Sequence, residues 1–162
     1  MRSIAILFMI AFIFLFSTTS QAQVTRIPNI KSNSDLHNFI VSKSQKHDIP
    51  VSLILAIIMQ ESTGRCNATS SSGAIGLMQI KYTTAREIGY RGSPSGLYDC
   101  RTNIKYAMKY LAMAAEKANG SYCLMLHYYH SGIYSSSYIS ASSYHYCKAV
   151  MIYYREFDDI KD

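Results

Sequence analysis

Apolar positions recur three and four residues apart through most of the chain beyond residue 33, with polar or glycine-bearing stretches between them. In the most apolar segment, which begins at Pro50, a helix would carry Leu53, Ile57 and Glu61 on one face. The same spacing predicts helices at residues 34–48, 50–62, 82–88, 103–119, 122–129 and 144–157. Loops are predicted at residues 66–72, 90–96 and 131–143, and residues 75–80 fit either a helical turn or an extended piece. The pattern indicates a mainly α-helical domain.

The first 22 residues have a different composition from the rest of the chain. A short positive start at residues 1–3 precedes an unbroken apolar run at residues 4–16, and Ser20 and Ala22 then stand as in a signal-peptidase site. The run is shorter than the roughly 20 residues that a membrane-spanning helix needs. We therefore expect a signal peptide at residues 1–22, a single domain at residues 23–162, and a periplasmic or secreted protein. A retained signal anchor is the alternative.

The formal net charge is +6 at pH 7, but the basic residues are scattered and form no dense block or nucleic-acid motif. Scattered positive charge favours a polyanionic matrix outside the cytoplasm over DNA or RNA. We expect a monomer that binds neither nucleic acid nor, once the signal peptide is removed, a membrane.

Four cysteines in an exported chain predict two disulfides with three possible pairings. We favour the pairs that tie a loop or helix to its neighbour, Cys66–Cys100 and Cys123–Cys147. The alternative is a metal site that combines cysteines with His127, His130 or His145. Because the ligand spacings typical of zinc sites are absent, we expect no metal and no cofactor.

Glu61 is the candidate for chemistry. It ends the apolar helix, and the glycine-bearing stretch at residues 72–80 would form a wall of a cleft beside it. A carboxyl group held against apolar side chains loses hydration, so its pKa rises and it can carry a proton near neutral pH. Such a group can act as the general acid in glycosidic cleavage. The alternative is a glutamate that caps the helix or pairs with Arg65.

Several motifs occur in a fixed order from about Pro50 to Val150. They are Glu61-Ser62, Ser72-Gly73 followed by Gly76-Leu77-Met78-Gln79, the segment Leu97–Ile104 with Asp99 and Asn103, Tyr128-Tyr129-His130-Ser131-Gly132, and Tyr146. This set resembles the catalytic domain of the soluble lytic transglycosylase (SLT) family, a lysozyme-like, goose-type helical fold with a catalytic cleft. The small size, leader and cysteines resemble members that accompany type III or type IV secretion systems or conjugative pili.

The resemblance implies that Glu61 is a single acid/base and that the substrate is contacted by Ser62, Ser72, Gly76, Met78, Gln79, Tyr129 and Tyr146. Tyr146 would also hold the Glu61 carboxyl in place. Ordinary core packing is the alternative for Met78, and a plain helix-end role is the alternative for Ser62. The chain departs from the family pattern at His130, where the family has asparagine, and at Cys100, where it has proline.

The implied function is peptidoglycan lytic transglycosylation: cleavage of the MurNAc–GlcNAc β-1,4 bond with formation of 1,6-anhydroMurNAc. The expected partners are peptidoglycan strands and proteins of a secretion or conjugation apparatus. The alternatives are a lysozyme-type hydrolase on the same fold, a weakly active glycan-binding scaffold of a secretion apparatus, and a membrane-tethered assembly factor.

Overall fold

The computed structural model describes residues 34–159, so the predicted signal peptide at residues 1–22 lies outside the described part. Six α-helices follow one another in this part: α1 (Ser34–His47), α2 (Val51–Ser62), α3 (Tyr82–Glu87), α4 (Cys100–Ala118), α5 (Tyr122–Ser131) and α6 (Ala141–Asp158). Two short strands, β1 (Ala74–Ile75) and β2 (Ile80–Lys81), lie between α2 and α3, and a 3-10 helix spans Pro94–Tyr98. The prediction of a mainly α-helical domain is confirmed.

Helix α2 lies at the centre of the molecule. Every residue from Ser52 to Met59 is buried, as expected for a helix that is apolar on all sides. It packs chiefly against α6 and also contacts α1, while α4 packs against α1 and α5. Pro50 precedes the first helical residue, and the helix ends at Thr63 in the left-handed conformation with φ of 53°. The last turn of α2 therefore carries Glu61 out of the core at a defined position.

The stretch that the sequence left ambiguous is a β-hairpin. Strands β1 and β2 pair antiparallel, with Ala74 opposite Lys81 and Ile75 opposite Ile80. Gly76 opens the connecting turn with φ of +80°, and a Cβ there would lie 2.5 Å from the carbonyl oxygen of Leu97. Only glycine permits both this conformation and this close approach of the backbone.

Helices α4 and α6 begin three residues earlier than the sequence predicted. The Asp99 side chain accepts a hydrogen bond from the Thr102 amide at 2.8 Å, and Ser140 caps α6 in the same way. The predicted loop at residues 90–96 contains the start of the 3-10 helix. Side-chain caps can extend a helix beyond its apolar pattern, which is why periodicity alone placed these starts late.

Two disulfides join the regions around the cleft. Cys66 pairs with Cys100 and Cys123 with Cys147, each with Cα atoms 5.3 Å apart, and these are the two pairs that the sequence analysis favoured. The first ties the loop after α2 to the start of α4, and the second ties α5 to α6. No helix within residues 34–159 is both long enough and apolar enough to cross a membrane.

Candidate active site

Glu61 is held, partly buried, where the end of α2 meets the cleft. Burial raises the pKa of its carboxyl from the ordinary value to about 7, although the hydrogen bond from Tyr146 works in the opposite direction. That bond runs from the Tyr146 hydroxyl to Glu61 Oε1. A carboxyl whose pKa is raised in this way can carry a proton near neutral pH, so it can deliver a proton and then take one up.

Two compartments of a cleft meet at Glu61. The larger has a volume of about 420 Å³ and the smaller about 380 Å³, and both are lined by Glu61, Ser70 and Gln79. Glu61 is the only aspartate or glutamate among the described residues that line either compartment. A polymeric ligand that occupies both compartments would therefore pass next to one carboxyl group, that of Glu61.

Four of the eight predicted active-site residues line this cleft, and four lie behind its surface. The lining residues are Glu61, Ser72, Gln79 and Tyr129. The residues behind it are Ser62, Gly76, Met78 and Tyr146, all of them buried. Because none of the four lines the cleft, the structure assigns Ser62, Gly76, Met78 and Tyr146 to the support of the cleft, which corrects their prediction as substrate contacts.

The hairpin wall of the cleft, which we define as residues 72–81, is supported by those buried residues. The Ser62 hydroxyl donates to the Leu77 carbonyl at 2.7 Å, which fastens the turn to the end of α2. The Met78 side chain is 0% exposed and belongs to the core. Its carbonyl accepts a hydrogen bond from the Tyr129 hydroxyl at 2.7 Å, which links the two sides of the cleft.

Gln79 and Ser72 are the two predicted site residues of the hairpin wall that line the cleft. Gln79 has φ of +51°, and its Nε2 donates to the carbonyls of Gly76 at 2.8 Å and Ala68 at 3.2 Å. Ser72 is exposed, and its hydroxyl lies 3.0 Å from that of Ser70. The amide of Gln79 is thus already held in place by the wall before any ligand binds.

Sequence reasoning quoted Asn103 within a motif but gave it no role. Its side chain is fully buried and makes three hydrogen bonds. Oδ1 accepts from the Met78 amide at 2.8 Å, and Nδ2 donates to the carbonyls of Ile75 at 2.8 Å and Leu97 at 2.9 Å. Asn103 therefore joins α4 and the 3-10 helix to the hairpin wall. The one sequence feature that marked Asn103 was its place in the first turn of a helix, four residues after the capping residue Asp99.

The tyrosine wall, which we define as residues 129–146, forms the opposite side. The ring of His130 lies parallel to that of Tyr146, with centroids 4.6 Å apart and an interplanar angle of 17°. Burial lowers the pKa of His130, and nearby His127 lowers it further. Tyr146 is thus held between an imidazole on its face and the Glu61 carboxyl at its hydroxyl.

His127 supports the tyrosine wall from the core. Its Nε2 lies 2.9 Å from the Ser136 carbonyl, which can only accept, so Nε2 carries the proton. Nδ1 then accepts from the Ser143 hydroxyl at 2.8 Å, and Ser143 also contacts the hydroxyl of Ser131 at 2.8 Å. This chain of bonds holds the loop between α5 and α6.

Arg65 and three residues that no motif marks also line the cleft. Arg65 Nε donates to the Ser62 carbonyl at 3.0 Å, and Arg65 lines the smaller compartment. Within residues 34–159 no three His, Cys, Asp or Glu side chains are grouped as metal ligands. Lys81, Thr84 and Tyr110 line the larger compartment and were missed by sequence reasoning, since no motif marks them.

Residues 38–150 match the Transglycosylase SLT domain family, which covers the whole site described above. The chain belongs to this family. The family resemblance inferred from the ordered motifs is confirmed, while the assignment to a secretion-associated subtype remains a prediction.

Individual relatives are consistent with this membership. The chain is 36% identical over 132 residues to membrane-bound lytic murein transglycosylase E of Buchnera aphidicola subsp. Baizongia pistaciae, which covers 69% of this chain and 62% of that protein. It is 46% identical over 68 residues to endo-type membrane-bound lytic murein transglycosylase A of Salmonella paratyphi B, which covers 38% of this chain and 34% of that protein. The chain thus spans less than two thirds of the length of these relatives.

Among solved structures, an inactive mutant of the lytic transglycosylase Slt from Pseudomonas aeruginosa has the same fold. The TM-score is 0.67 at 23% sequence identity, and the match covers 82% of this chain and 25% of that one. The predicted lysozyme-like helical fold is confirmed by this likeness.

Proposed function

We propose that this chain is a peptidoglycan lytic transglycosylase that cleaves the β-1,4 bond between MurNAc and GlcNAc and leaves a 1,6-anhydroMurNAc end. The observation that carries the proposal is the single, partly buried carboxyl of Glu61, with its pKa raised to about 7, at the junction of the two compartments. Glycosidases with two carboxylates hold the second within about 10 Å of the first, on the other side of the bond. The cleft lining offers no such partner among the described residues. Membership of the Transglycosylase SLT domain family supports the same activity.

In the first step, the protonated Glu61 carboxyl gives its proton to the glycosidic oxygen. The bond from that oxygen to the anomeric carbon of MurNAc breaks, and the GlcNAc strand leaves with a free hydroxyl. In the second step, the Glu61 carboxylate takes the proton of the MurNAc 6-hydroxyl. The oxygen of that hydroxyl then bonds to the anomeric carbon of the same MurNAc and closes the 1,6-anhydro ring. Glu61 ends protonated and no water is consumed, which is why one carboxyl is enough.

The neighbouring residues prepare Glu61 for both roles. The Tyr146 hydroxyl donates to the carboxyl and so fixes its orientation, while burial keeps the pKa high enough for proton donation. Arg65 and Lys81 place one positive charge in each compartment, and these charges suit the carboxylates of the peptide stems. Ser72, Gln79 and Tyr129 are the lining residues that we assign to sugar contacts.

The deciding experiment is mass analysis of the products released from purified sacculi. We expect anhydro ends, each lighter by one water than the matching reducing end. Reducing ends would identify a hydrolase on the same fold. Binding to sacculi without release of products would identify a glycan-binding scaffold instead.

The cellular role concerns the whole protein. Residues 1–22 act as a signal peptide, and the domain at residues 23–162 works as a monomer in the periplasm or outside the cell, where it opens the wall locally for a secretion or conjugation apparatus. The leader pattern, the two disulfides and the small domain support this role. N-terminal sequencing of exported protein tests the cleavage. Transport by a strain that carries Glu61→Gln tests the role, and unchanged transport contradicts it.

A further inference from the structure

We call Tyr129, Tyr110 and Tyr134 the tyrosine line. The first two line the cleft with Glu61, and the third follows Gly132 at its edge. Burial raises the pKa of Tyr129 well above its usual value, and the nearby charge of Glu61 and the phenol of Tyr110 raise it further. The rings of Tyr129 and Tyr110 have centroids 5.8 Å apart at an angle of 54°, and both residues line the larger compartment. The first two members of the line therefore lie inside the cleft.

Tyr110 connects this line to the rim of the cleft. Its hydroxyl accepts a hydrogen bond from the Ile133 amide at 3.0 Å. Burial raises the pKa of Tyr110, the bond from Ile133 lowers it, and Glu87 and Tyr134 raise it. Tyr134 is thus within electrostatic range of Tyr110, two residues beyond Gly132, which lines the larger compartment.

The turn that carries Tyr134 has a firmly held backbone and yet presents its ring to solvent. The Tyr134 side chain is 89% exposed. In addition to the bond with Tyr110, two side chains from outside the turn donate to its carbonyls: Lys117 Nζ to those of Ile133 and Ser135, and His127 Nε2 to that of Ser136. Within the turn, the Ser135 amide donates to the Gly132 carbonyl and the Ser135 hydroxyl to the Ser131 carbonyl. A ring on a fixed backbone loses little conformational freedom when a ligand stacks on it.

We propose that Tyr134 is an outer sugar-stacking subsite for a β-1,4-linked glycan strand, beyond the sugars that lie against Glu61. This inference rests on the proposed function. A tyrosine ring offers a flat apolar face to the C–H face of a pyranose, and its hydroxyl can bond to the polar rim. Residues 131–136 carry only hydroxyl, aliphatic and aromatic side chains and no charge, which suits a saccharide. Continuity with the cleft through Tyr110 and Tyr129 favours a glycan strand over a protein partner.

The test compares long and short peptide-free glycan strands as substrates for wild type, Tyr134→Ala and Tyr134→Phe. For Tyr134→Ala on long strands we expect KM to rise about fivefold with kcat unchanged, the size of one aromatic contact. Short strands that do not reach the rim should be cleaved as by wild type. Tyr134→Phe should retain most of the binding because it keeps the ring. An unchanged KM on long strands, or an equal rise on both lengths, overturns the subsite.

A matched control and a second readout separate this proposal from the proposed function. Tyr122 is also partly exposed but lines a separate pocket of about 270 Å³, so Tyr122→Ala should leave the length dependence unchanged. Binding of long strands is then measured in the Glu61→Gln background, with and without Tyr134→Ala. Weaker binding of the double variant supports the subsite even if wild type releases no anhydro product, and equal binding overturns it.

Discussion

The two walls of the cleft use their polar groups in opposite ways. In the hairpin wall, the Met78 amide donates to Asn103, the Ser62 hydroxyl and the Gln79 amide donate to carbonyls of the turn, and the Met78 side chain is fully buried. The tyrosine wall places Tyr134, Tyr138 and Tyr144 in solvent and keeps His130 at the cleft surface. The buried side of the hairpin wall therefore sets the shape of the cleft, whereas the tyrosine wall holds most of the side chains that stand free in solvent. Substitutions of the buried groups that support the hairpin wall should affect stability, and substitutions of groups that line the cleft should affect activity.

Replacement of Glu61, which lies between the walls, gives the largest expected effect on activity. Glu61→Gln should reduce the release of muropeptides by about a thousandfold, because an amide cannot donate the required proton. The matched control is Glu116→Gln, which changes an exposed glutamate of α4 and should leave activity unchanged. Product release is measured by chromatography, and near-normal release by Glu61→Gln would remove Glu61 from the mechanism.

Replacement of Asn103 should cause the largest loss of stability. Asn103→Ala leaves the Met78 amide and the carbonyls of Ile75 and Leu97 without their partner in the core. We expect the free energy of unfolding to fall by about 3 kcal/mol, since each unsatisfied buried group costs about 1–3 kcal/mol and part of the loss is relieved by water. Urea unfolding measures it. A loss below about 1 kcal/mol would show that the hairpin wall does not depend on this side chain.

The raised pKa of Glu61 makes stability depend on pH. The folded-state pKa of about 7 exceeds the ordinary value of 4.5, so the folded protein binds the proton more tightly than the unfolded chain. The contribution of Glu61 to stability is therefore fully present below pH 4.5. It is lost as the pH rises from 4.5 through about 7, and it then levels off.

Glu61→Gln removes this ionisation and should be more stable than wild type at pH 8 by about 3 kcal/mol, with little difference at pH 4. Urea unfolding at the two pH values measures the difference. Equal stability of both proteins at pH 8 would contradict the raised pKa.

Tyr146→Phe should affect activity more than stability. The hydrogen bond from Tyr146 lowers the pKa of Glu61, so its removal should raise that pKa and move the alkaline limb of kcat/KM to higher pH. We also expect about a tenfold lower kcat, because the carboxyl loses its orienting partner. A limb that stays in place or moves to lower pH would contradict the role of this bond.

Among these variants, His130→Ala should have the smallest effect on activity. Its effects on kcat and on the alkaline limb should have the same direction as those of Tyr146→Phe. The imidazole covers one face of the Tyr146 ring, and without it the ring gains freedom and donates less consistently to Glu61. We expect about a twofold fall in kcat, with a small upward shift of the alkaline limb. His130→Phe keeps a flat ring at the position and should restore wild-type behaviour. A larger effect on thermal unfolding than on the pH profile would make His130 a structural residue.

Sequence reasoning succeeded where local chemistry decides the outcome. The position of Glu61 follows from the spacing of the apolar face of α2. Tyr146 as its partner follows from the family resemblance, and the two cysteine pairs are those favoured, among three possible pairings, because they tie neighbouring elements. The prediction of substrate contacts was wrong for Ser62, Gly76, Met78 and Tyr146, which lie behind the cleft surface. A motif shows which residues matter together. It does not show which of them face the cleft and which hold the wall from behind.

By itself, the sequence determined the helical class and the family, because periodicity and ordered motifs are local properties of the chain. Only the tertiary structure decided that Asn103 ties three segments together and that Tyr129 and Tyr110 lead from Glu61 towards an exposed Tyr134. These relations join residues that are distant along the chain. They arise because α4 packs against both α5 and strand β2, and burial and pKa follow from that packing.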